Sequence, residues 1–289
     1  MVIEDKEILV WWKLVKIARL KDEYYKYVED PAQFTKELIA AGTSSDLFTF
    51  VQRITDRNPK YNFCLEWEPV AVLYVTTYEN WWKNQINPKT RNMVRKAQKM
   101  GVEVRLVDFT EDFVKSIKEI YDESPLRQGR IFKHYRKDLE TLKRGHITFL
   151  EQSQFIGAFI KDELIGFVKL VTCDGVAHIM QIMSKLKQRD KSPTNALIAK
   201  CVEVCAQQAV PILNYGVWSQ RGLGDFKKHH AFERLDVPRY FIPLNRVGSL
   251  ALKLGLHKDQ KEKVPQWLMS RLIDMRTKWL EFKLGKIQL

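Results

Sequence analysis

The sequence predicts a mixed α/β (α+β) protein in which a central sheet is flanked by helices. Runs rich in β-branched and aromatic residues alternate with amphipathic runs that have helical spacing. The hydrophobic content of 45% and charged content of 29% are those of an ordinary globular protein, and 289 residues suffice for a substantial core. No Pro/Gly/Ser-rich linker interrupts the chain, so we expect any domain boundary to be tight.

The first hundred residues predict strands, one short helix and a longer helical region. Residues 10–28 are apolar and aromatic with interleaved cations, which favours strands. A helix should follow Asp30-Pro31 and end at Gly42, because this pair suits a helix start and glycine a helix end. Two more strands are expected in DLFTFVQRI and PVAVLYVTT, and one or two helices between residues 78 and 101.

From residue 102 onward the predicted order is β-α-α-β-β-β-α-β-α-β. The second helix of this series is expected over 130–145, and a long amphipathic helix should begin at Pro265. This element order is that of the GNAT acyltransferase fold. The fold also predicts that the strands around 176–184 and 211–217 splay apart and open a cleft. The remaining expected strands and helices of this region are 102–108, 110–124, 147–160, 163–172, 193–210, 224–232 and 238–244.

Five segments carry a more specific resemblance, which covers about residues 45 to 260. They are NPKTRNMVRKAQKMGVEVRL, SPLRQGRIFKHYRKD, FIGAFIKDELIGFVKLV, KSPTNALIAKCVEVC and FKKHHAFERLDVPRYFIPL. In this order they resemble the FemAB-like branch of the GNAT superfamily, whose members are acyl or aminoacyl transferases. The resemblance implies a partial or remodelled N-terminal GNAT-like region (1–85), a GNAT-like acyltransferase domain (86–245) and a C-terminal helical extension (246–289).

The resemblance also implies where an activated donor would bind. In GNAT proteins the helix after the fourth strand begins Q/R-x-x-G-x-G/A, and its backbone amides hold the pyrophosphate of acyl-CoA. The aligned run here is Arg189-Asp190-Lys191-Ser192-Pro193-Thr194, in which Ser192 and Thr194 replace the glycines. The expected donor is therefore acyl-CoA, an aminoacyl-tRNA or another activated acyl donor, and the alternative is that this run is only a solvated basic loop. The predicted donor-binding residues are Ser184, Arg189, Lys191, Ser192, Thr194 and Asn195.

Acyl transfer needs a polarised carbonyl and groups that move protons. Gln181 is a polar residue in the apolar strand HIMQIM, and the resemblance places it where the strands splay. His134, Tyr135, Tyr215 and His229 are the candidates for proton transfer, since histidine titrates near neutral pH. A structural role remains an alternative for each of these residues.

The segment ESPLRQGRIFKHYRKD is unusually dense in polar side chains. In a GNAT fold it lies over the acceptor side of the cleft. Arg127 and Arg130 would bind an anionic group there, because guanidinium groups hold such anions bidentately. Gln128 would add a donor and an acceptor. The alternative is a solvated basic helix start.

The net charge of +13 favours polyanionic partners. A second function is therefore open, in which tRNA or DNA binds the basic surface and Trp81, Trp82 and Trp218 stack on bases. A third is a GNAT-like scaffold without activity. We expect no metal, because Cys201 and Cys205 have no histidine at ligand spacing. We also expect no membrane span, no signal peptide and a cytoplasmic location.

Overall fold

The computed structural model describes residues 1–12, 15–127, 129–258, 271, 275–276 and 278–280. The predicted helix starting at Pro265 and residue Gln128 lie outside the described residues. The strands are β1 (Val2–Ile3), β2 (Lys6–Trp12), β3 (Lys16–Leu20), β4 (Leu47–Val51), β5 (Cys64–Tyr74), β6 (Val102–Val107), β7 (Leu126–Arg127), β8 (Arg130–Ile131), β9 (Ser153–Ile160), β10 (Glu163–Cys173), β11 (Val176–Ser184), β12 (Ile212–Val217) and β13 (Glu233–Pro243).

The helices are α1 (Pro31–Ala40), α2 (Tyr78–Asn80), α3 (Pro88–Lys99), α4 (Glu111–Asp122), α5 (Leu139–His146), α6 (Pro193–Gln207), α7 (Arg221–His229) and α8 (Arg246–Lys253). A π-helical turn, Trp81–Gln85, follows α2, and 3₁₀ turns cover Leu150–Gln152 and Leu186–Lys191. Short polar side chains cap several helix starts. Thr110 accepts a hydrogen bond from the backbone of Phe113, and Asp138 accepts one from Thr141. In the described residues, no helix is long and apolar enough to cross a membrane.

The chain divides into two compact units that do not follow the expected linear boundaries. The first contains residues 1–71, 217–219 and 234–259, and the second contains 72–216 and 220–233. β13 belongs almost entirely to the first unit because it pairs antiparallel with β4, in a register that sets Tyr240 opposite Phe50.

The first unit is built on the strand order β1-β2-β3-β4-β13, in which only β3 and β4 run parallel. Aromatic rings fill its core, with Phe50 stacked on Tyr240 at 5.2 Å between ring centroids. A buried ion network lies beside this core. Arg239 donates to both carboxylate oxygens of Glu23, at 2.9 and 3.0 Å, and to Glu68. This pairing satisfies the charges that folding removes from water.

The second unit contains the strand order β12-β11-β10-β9-β6 with helices on both faces. Neighbouring residues of β10 show this arrangement, since Phe167 packs edge-on against Phe113 of α4 while Gly166 approaches Leu197 of α6. The pairs are antiparallel except β11 with β12. The mixed α/β fold predicted from the element order is confirmed.

The predicted helix over 130–145 is wrong in its first half. Residues 126–127 and 130–131 pair as the hairpin β7–β8, with Gly129 at φ +68°, and a turn follows in which Arg136 has φ +55°. An interior helix position does not tolerate these left-handed conformations. Helix α5 therefore begins only at Leu139, after its cap Asp138.

The tightest glycine contact in the first unit yields a stability prediction. A Cβ on Gly248 of α8 would lie 1.9 Å from the backbone oxygen of Asp46. Gly248→Ala should therefore lower the free energy of unfolding by about 1–3 kcal/mol, because the backbone must move to relieve the clash. Urea denaturation measures this change.

Gly145→Ala is the matched control, since a Cβ at this helical position meets nothing within 4 Å. It should leave stability unchanged or raise it by up to about 1 kcal/mol, because alanine favours helix over glycine. A Gly248→Ala protein as stable as the Gly145→Ala protein would contradict the packing described for α8.

Candidate functional site

In the second unit β11 and β12 separate, and the gap between the two strands beyond the pair His178–Asn214 is called the cleft below. The two strands pair in parallel over three residue pairs only, from Val176–Ile212 to His178–Asn214. β11 continues along β10 as far as Ser184, whereas Gly216 of β12 takes φ +63°. This is the predicted splay, and it is confirmed. Asn214 lies at the branch point, where its Oδ1 is 3.3 Å from His178 Nδ1 and accepts a hydrogen bond from Gly216 N at 3.1 Å.

Just past the branch point, a β-bulge changes the face of the sheet on which the following side chains of β11 lie. Ile179 stands opposite Leu170 and Gln181 opposite Lys169, so Met180 is the extra residue. Gln181 and Lys169 thereby share one face of the sheet, the face that carries Phe167 and α4. The strand that looks uniformly apolar in the sequence thus presents an amide side chain toward this helix.

Three side chains form a polar relay on this face. Tyr121 of α4 donates its hydroxyl hydrogen to Gln181 Oε1 at 3.2 Å, and His146 Nε2 lies 3.3 Å from the same hydroxyl. Since the tyrosine donates to Gln181, the histidine Nε2 must carry the proton that the tyrosine oxygen accepts. Gln181 is only half-buried, and within the described residues its Nε2 makes no hydrogen bond. The relay therefore fixes the amide of Gln181 through its oxygen and leaves both amide hydrogens without a partner among the described residues.

Lys169 fixes the His146 member of this relay, and both residues are buried. His146 is almost fully buried, and burial, with the nearby Lys169 cation, lowers its pKa to about 4. Lys169 is fully buried and donates to the backbone oxygen of His146 at 2.7 Å and to Thr148. A cation is favourable at this end of α5 because the helix exposes its last carbonyls there. His146 is thus held neutral at physiological pH.

His134 packs against the relay. Its ring lies 5.1 Å from the ring of Tyr121 and 5.4 Å from that of Phe132. Burial, followed by Lys137 and Lys133, lowers the pKa of His134. The structure therefore brings together Gln181 and His134 from the predicted set, and it adds Tyr121, His146 and Lys169. Sequence reasoning missed these three because each looks like an ordinary member of a helix or strand.

Arg127 lies at the same place but uses its donors internally. Its Nη1 donates to Ser184 O at 2.9 Å, and its Nη2 donates to Ile120 O and to Glu123 at 3.2 Å. This guanidinium ties α4 to the end of β11, so it does not offer the open bidentate pair that we expected for an anion. Arg130 is exposed on β8, and Tyr135 is half-buried against Arg136 at 5.2 Å.

The mouth of β12 holds Tyr215 and an unpredicted lysine. Lys227 of α7 is 2% exposed; it donates to Tyr215 O at 2.7 Å and lies 4.7 Å from the centre of the Tyr215 ring. Burial lowers the pKa of Lys227 to about 8 and raises that of Tyr215. An amine with this pKa is partly neutral at physiological pH and can exchange protons there.

The predicted His229 is exposed, and its neighbour His230 is the buried one. His230 contacts Phe226 O through Nδ1 at 2.8 Å, and its backbone oxygen accepts from Trp81 Nε1 at 3.1 Å. Trp81 is fully buried, which corrects the expectation that it stacks on bases. Trp82 and Trp218 are half-buried, and the ring of Tyr78 stacks on Trp82 at 6.0 Å.

The loop expected to hold a donor pyrophosphate is bonded within itself. Ser192 is buried at φ +57° with its hydroxyl toward Met93 Sδ at 3.7 Å, and Thr194 Oγ1 contacts Ser184 Oγ at 3.0 Å. The backbone nitrogens of Ser192 and Asn195 bond to acceptors inside the loop. These residues fit the tight amide cradle of a pyrophosphate poorly, although Arg189 is exposed beside them.

The carboxylate of Glu123, the residue that follows α4, accepts hydrogen bonds from the amides at the start of this loop. Glu123 accepts from Leu186 N at 2.5 Å and from Lys187 N at 2.9 Å, and it pairs with Arg127. The side chain of Lys191 bonds to Gln188 at 2.5 Å. Among the described residues, no group of three or more His, Cys, Asp or Glu side chains could hold a metal ion.

Comparison with known proteins identifies solved structures that share the fold of this chain. No family model and no curated protein matches the chain. The solved structure of FemX matches with 12% identity and a TM-score of 0.54, over 78% of this chain and 72% of FemX. The C-terminal domain of a putative lysylphosphatidylglycerol synthetase from Agrobacterium fabrum matches with 15% identity and a TM-score of 0.55, over 85% and 83%.

A third match is L-PGS from Bacillus licheniformis, with 14% identity and a TM-score of 0.54 over 96% of this chain and 89% of that one. These identities establish a shared fold and nothing finer. The resemblance to the FemAB-like branch of the GNAT superfamily, drawn from sequence segments, is thus confirmed at the level of the fold.

The buried histidines of the second unit yield a pH prediction. Burial lowers the pKa values of His146, His178 and His230 to about 4 each. In the unfolded chain a histidine titrates near 6.5, so unfolding takes up protons between these two values. Stability is fully present above about pH 6.5 and falls by up to about 1.4 kcal/mol per pH unit per histidine as the pH drops toward 4.

Urea denaturation at a series of pH values measures this slope. His230→Gln should reduce the slope of the free energy of unfolding between pH 5 and 6 by about 1.4 kcal/mol per pH unit, the contribution of one proton, because glutamine does not titrate. His229→Gln alters the exposed neighbour, and we expect it to keep the slope of the unsubstituted protein. Equal slopes for both variants would show that His230 does not fold as a neutral group.

Proposed function

We propose that this chain is a GNAT-type transferase that moves an acyl or aminoacyl group from an activated donor to an amine or hydroxyl. The observation that carries the proposal is the cleft between β11 and β12, with the amide of Gln181 presented beside it. A cleft of this kind admits an extended ligand between two strands of one sheet and offers polar groups to its carbonyl. Structures of the same fold include FemX, L-PGS and the C-terminal domain of a putative lysylphosphatidylglycerol synthetase, and the last of these names supports an enzyme that joins an aminoacyl group to an acceptor.

The proposed reaction balances as an acyl exchange. The acceptor nitrogen or oxygen forms a bond to the acyl carbon and loses a proton. The bond from that carbon to the donor's sulfur or oxygen breaks, and the leaving thiol or hydroxyl gains a proton. Charge develops on the carbonyl oxygen in between, so a fixed hydrogen-bond donor near that oxygen accelerates the step.

Gln181 is the residue that we assign to this charge. Its Oε1 is held by Tyr121, so the side chain cannot rotate without losing that bond, and its Nε2 hydrogens remain to bind the carbonyl oxygen of the donor. A donor fixed before the reaction costs no reorganisation during it. Tyr121 and His146 act through Gln181 and are positioning residues in this proposal.

Proton transfer has two candidate groups. His134 lies beside the relay on the α4 side, and its lowered pKa keeps it neutral and able to accept a proton from an amine. Lys227, with a pKa of about 8, lies at the β12 side beneath Tyr215. We assign the acceptor's proton to His134, because it lies on the same face as Gln181.

The loop geometry favours an aminoacyl ester, such as aminoacyl-tRNA, over acyl-CoA as the donor. Glu123 already occupies the amides of Leu186 and Lys187, and the Ser192 and Thr194 side chains bond internally. A pyrophosphate would compete with these contacts. Exposed Arg189 and Lys187 can instead pair directly with the phosphates of a polyanion such as tRNA.

A donor panel tests this assignment. Thermal unfolding would be followed with CoA, acetyl-CoA, uncharged tRNA and aminoacyl-tRNA, and transfer of a labelled acyl or aminoacyl group to simple amines would be measured with each charged donor. Transfer from aminoacyl-tRNA supports the full proposal. Transfer from acyl-CoA alone retains the reaction and overturns the donor, and absence of transfer from every donor overturns the function.

The Gln181 assignment is tested by substitution. Gln181→Ala should lower kcat by about 10²-fold with little change in KM, because loss of one donor to a developing oxyanion costs this much. The change would be measured in steady-state kinetics with the donor found above. Gln207→Ala removes an exposed glutamine at the end of α6 and serves as the control. Equal kcat values for the two variants would remove Gln181 from the mechanism.

Arg189 tests how the donor is held. Arg189→Ala should weaken donor binding by about one to two decades, since a charge-assisted hydrogen bond contributes roughly 1.5–3 kcal/mol and 1.4 kcal/mol corresponds to tenfold. The fold should survive because this side chain is exposed. Titration calorimetry and the melting temperature would be taken from one preparation.

Lys99→Ala is the charge-matched control, because Lys99 is exposed at the end of α3. Both variants lose one positive charge, so a purely non-specific attraction would weaken equally in the two. Equal affinities for Arg189→Ala and Lys99→Ala would mean that the start of α6 is only a basic surface.

A further inference from the structure

β6 forms one end of the strand order in the second unit. It pairs antiparallel with β9 from Val102 to Val107, and among the described residues it has no second strand partner. Its outer edge therefore presents backbone N–H and C=O groups that another strand could pair with. Leu106 is 50% exposed on this strand, and Glu103 and Arg105 are exposed. An exposed edge of this kind is a docking surface for an extended chain.

The sequence of β6, VEVRLV, is complementary to itself when read in the opposite direction. A two-fold axis through Val104 sets Glu103 opposite Arg105 of a second copy, and Arg105 opposite Glu103. The same axis sets Val102 opposite Leu106. Cross-strand pairs of opposite charge and of apolar side chains both stabilise an antiparallel pair.

The charges select this register over its neighbours. An axis through Glu103 would place two carboxylates opposite each other, and an axis through Arg105 would place two guanidinium groups opposite each other. Like charges directly opposite are destabilising. When the two-fold axis passes through a residue, opposed residues differ by an even number of positions. Backbone N–H and C=O groups that point toward the second copy then lie opposite groups that point back, as hydrogen bonding requires.

The two faces of β6 separate the charged and apolar pairs. Arg105 lies over the ring of Phe159 at 4.5 Å, so Glu103 and Arg105 share the face that carries this ring. Val102, Val104 and Leu106 lie on the other face. A depression of about 450 Å³ adjoins the end of the strand, and its lining includes Leu106, Leu150 and Phe155. Exposed Leu106 and this depression supply apolar surface beside the paired strands.

We propose that β6 is a dimerisation edge, at which a second copy of this chain pairs antiparallel about Val104. The pairing joins the two β6 strands and forms two Glu103–Arg105 pairs between the copies. This interface is independent of the proposed transferase reaction, because none of its residues belongs to the candidate site. The competing explanation is that Glu103 and Arg105 only guard a monomer's edge against aggregation.

A charge-reversal cycle distinguishes these explanations. Glu103→Arg and Arg105→Glu each create two like-charge pairs in a homodimer, so each should raise the dimer dissociation constant by about tenfold or more. The double variant Glu103→Arg/Arg105→Glu exchanges the charges and should dimerise as the unsubstituted chain does. Sedimentation velocity over the micromolar range measures each dissociation constant.

Mixing the two single variants gives the decisive measurement. In a mixed dimer, one copy carries two arginines and the other two glutamates, so both cross-strand pairs are again attractive. We expect equimolar Glu103→Arg and Arg105→Glu proteins to form a heterodimer, seen by native mass spectrometry with one copy carrying a mass tag. Misfolded variants could not produce this gain of association, and circular dichroism on each checks the fold.

Three outcomes would overturn the proposal. The unsubstituted chain could be monomeric throughout the concentration range, the single variants could dimerise as tightly as it does, or their mixture could fail to form the heterodimer. A dimer that ignores both charges would place the interface on another surface of the chain.

Discussion

The candidate site depends on the point at which β11 and β12 stop pairing. Parallel strands in a sheet normally continue their ladder for the length of the shorter strand, because every unpaired backbone group costs free energy when it is buried. Here the ladder ends at His178–Asn214, and Asn214 takes up the amide of Gly216 as β12 turns away. The side chain at the branch point thereby satisfies a backbone group released by the separation. The strands can separate here because Asn214 Oδ1 replaces the acceptor that the Gly216 amide would have had in a continued ladder.

The second constraint is the burial of polar groups next to the cleft. Lys169 and His146 lie almost fully inside the protein, where an unpaired polar group costs about 1–3 kcal/mol. Lys169 meets this cost through three oxygen acceptors, and His146 meets it at Nε2 through Tyr121. The same bonds fix the side chain of Gln181, so the contacts that make the core tolerable also orient the group that faces the cleft. Positioning and stability therefore share one network.

The sequence predicted the fold class and the element order, because these follow from hydrophobic periodicity and from the order of whole elements, and the resemblance to the GNAT fold added the splay. Neither predicted the hairpin β7–β8 or the late start of α5. Leu139 and Leu142 follow the helical pattern, but Gly129 and Arg136 require left-handed backbone that periodicity does not reveal. The capping residue Asp138, with Thr141 three residues later, is the signal that could have located the true helix start.

Side-chain direction explains the site residues that sequence reasoning missed or placed differently. His229 ends α7 and His230 follows it, yet one is exposed and the other buried, and their shared residue type gives no means of choosing. Arg127 has the side chain of an anion-binding residue, but its partners lie within the chain, at the carbonyl oxygens of residues 120 and 184 and the carboxylate of Glu123. The partner at residue 184 is set by the packing of α4 against β11. The residue pattern predicted a polar region with a binding role. Only the packing decides which of its side chains use their hydrogen-bond donors inside the protein.

The contacts of Glu123 connect that commitment to the choice of donor. By accepting from Leu186 N and Lys187 N, this carboxylate supplies within the chain the negative charge that a bound phosphate supplies at other amide-rich turns. Arg127 then neutralises the carboxylate. The backbone amides at the start of the loop therefore have hydrogen-bond acceptors without any ligand. Ser192 and Thr194 stand where the GNAT signature has the glycines that let a pyrophosphate approach. In the proposed function, the exposed cations Arg189 and Lys187 are therefore the groups left to pair with the phosphates of an anionic donor.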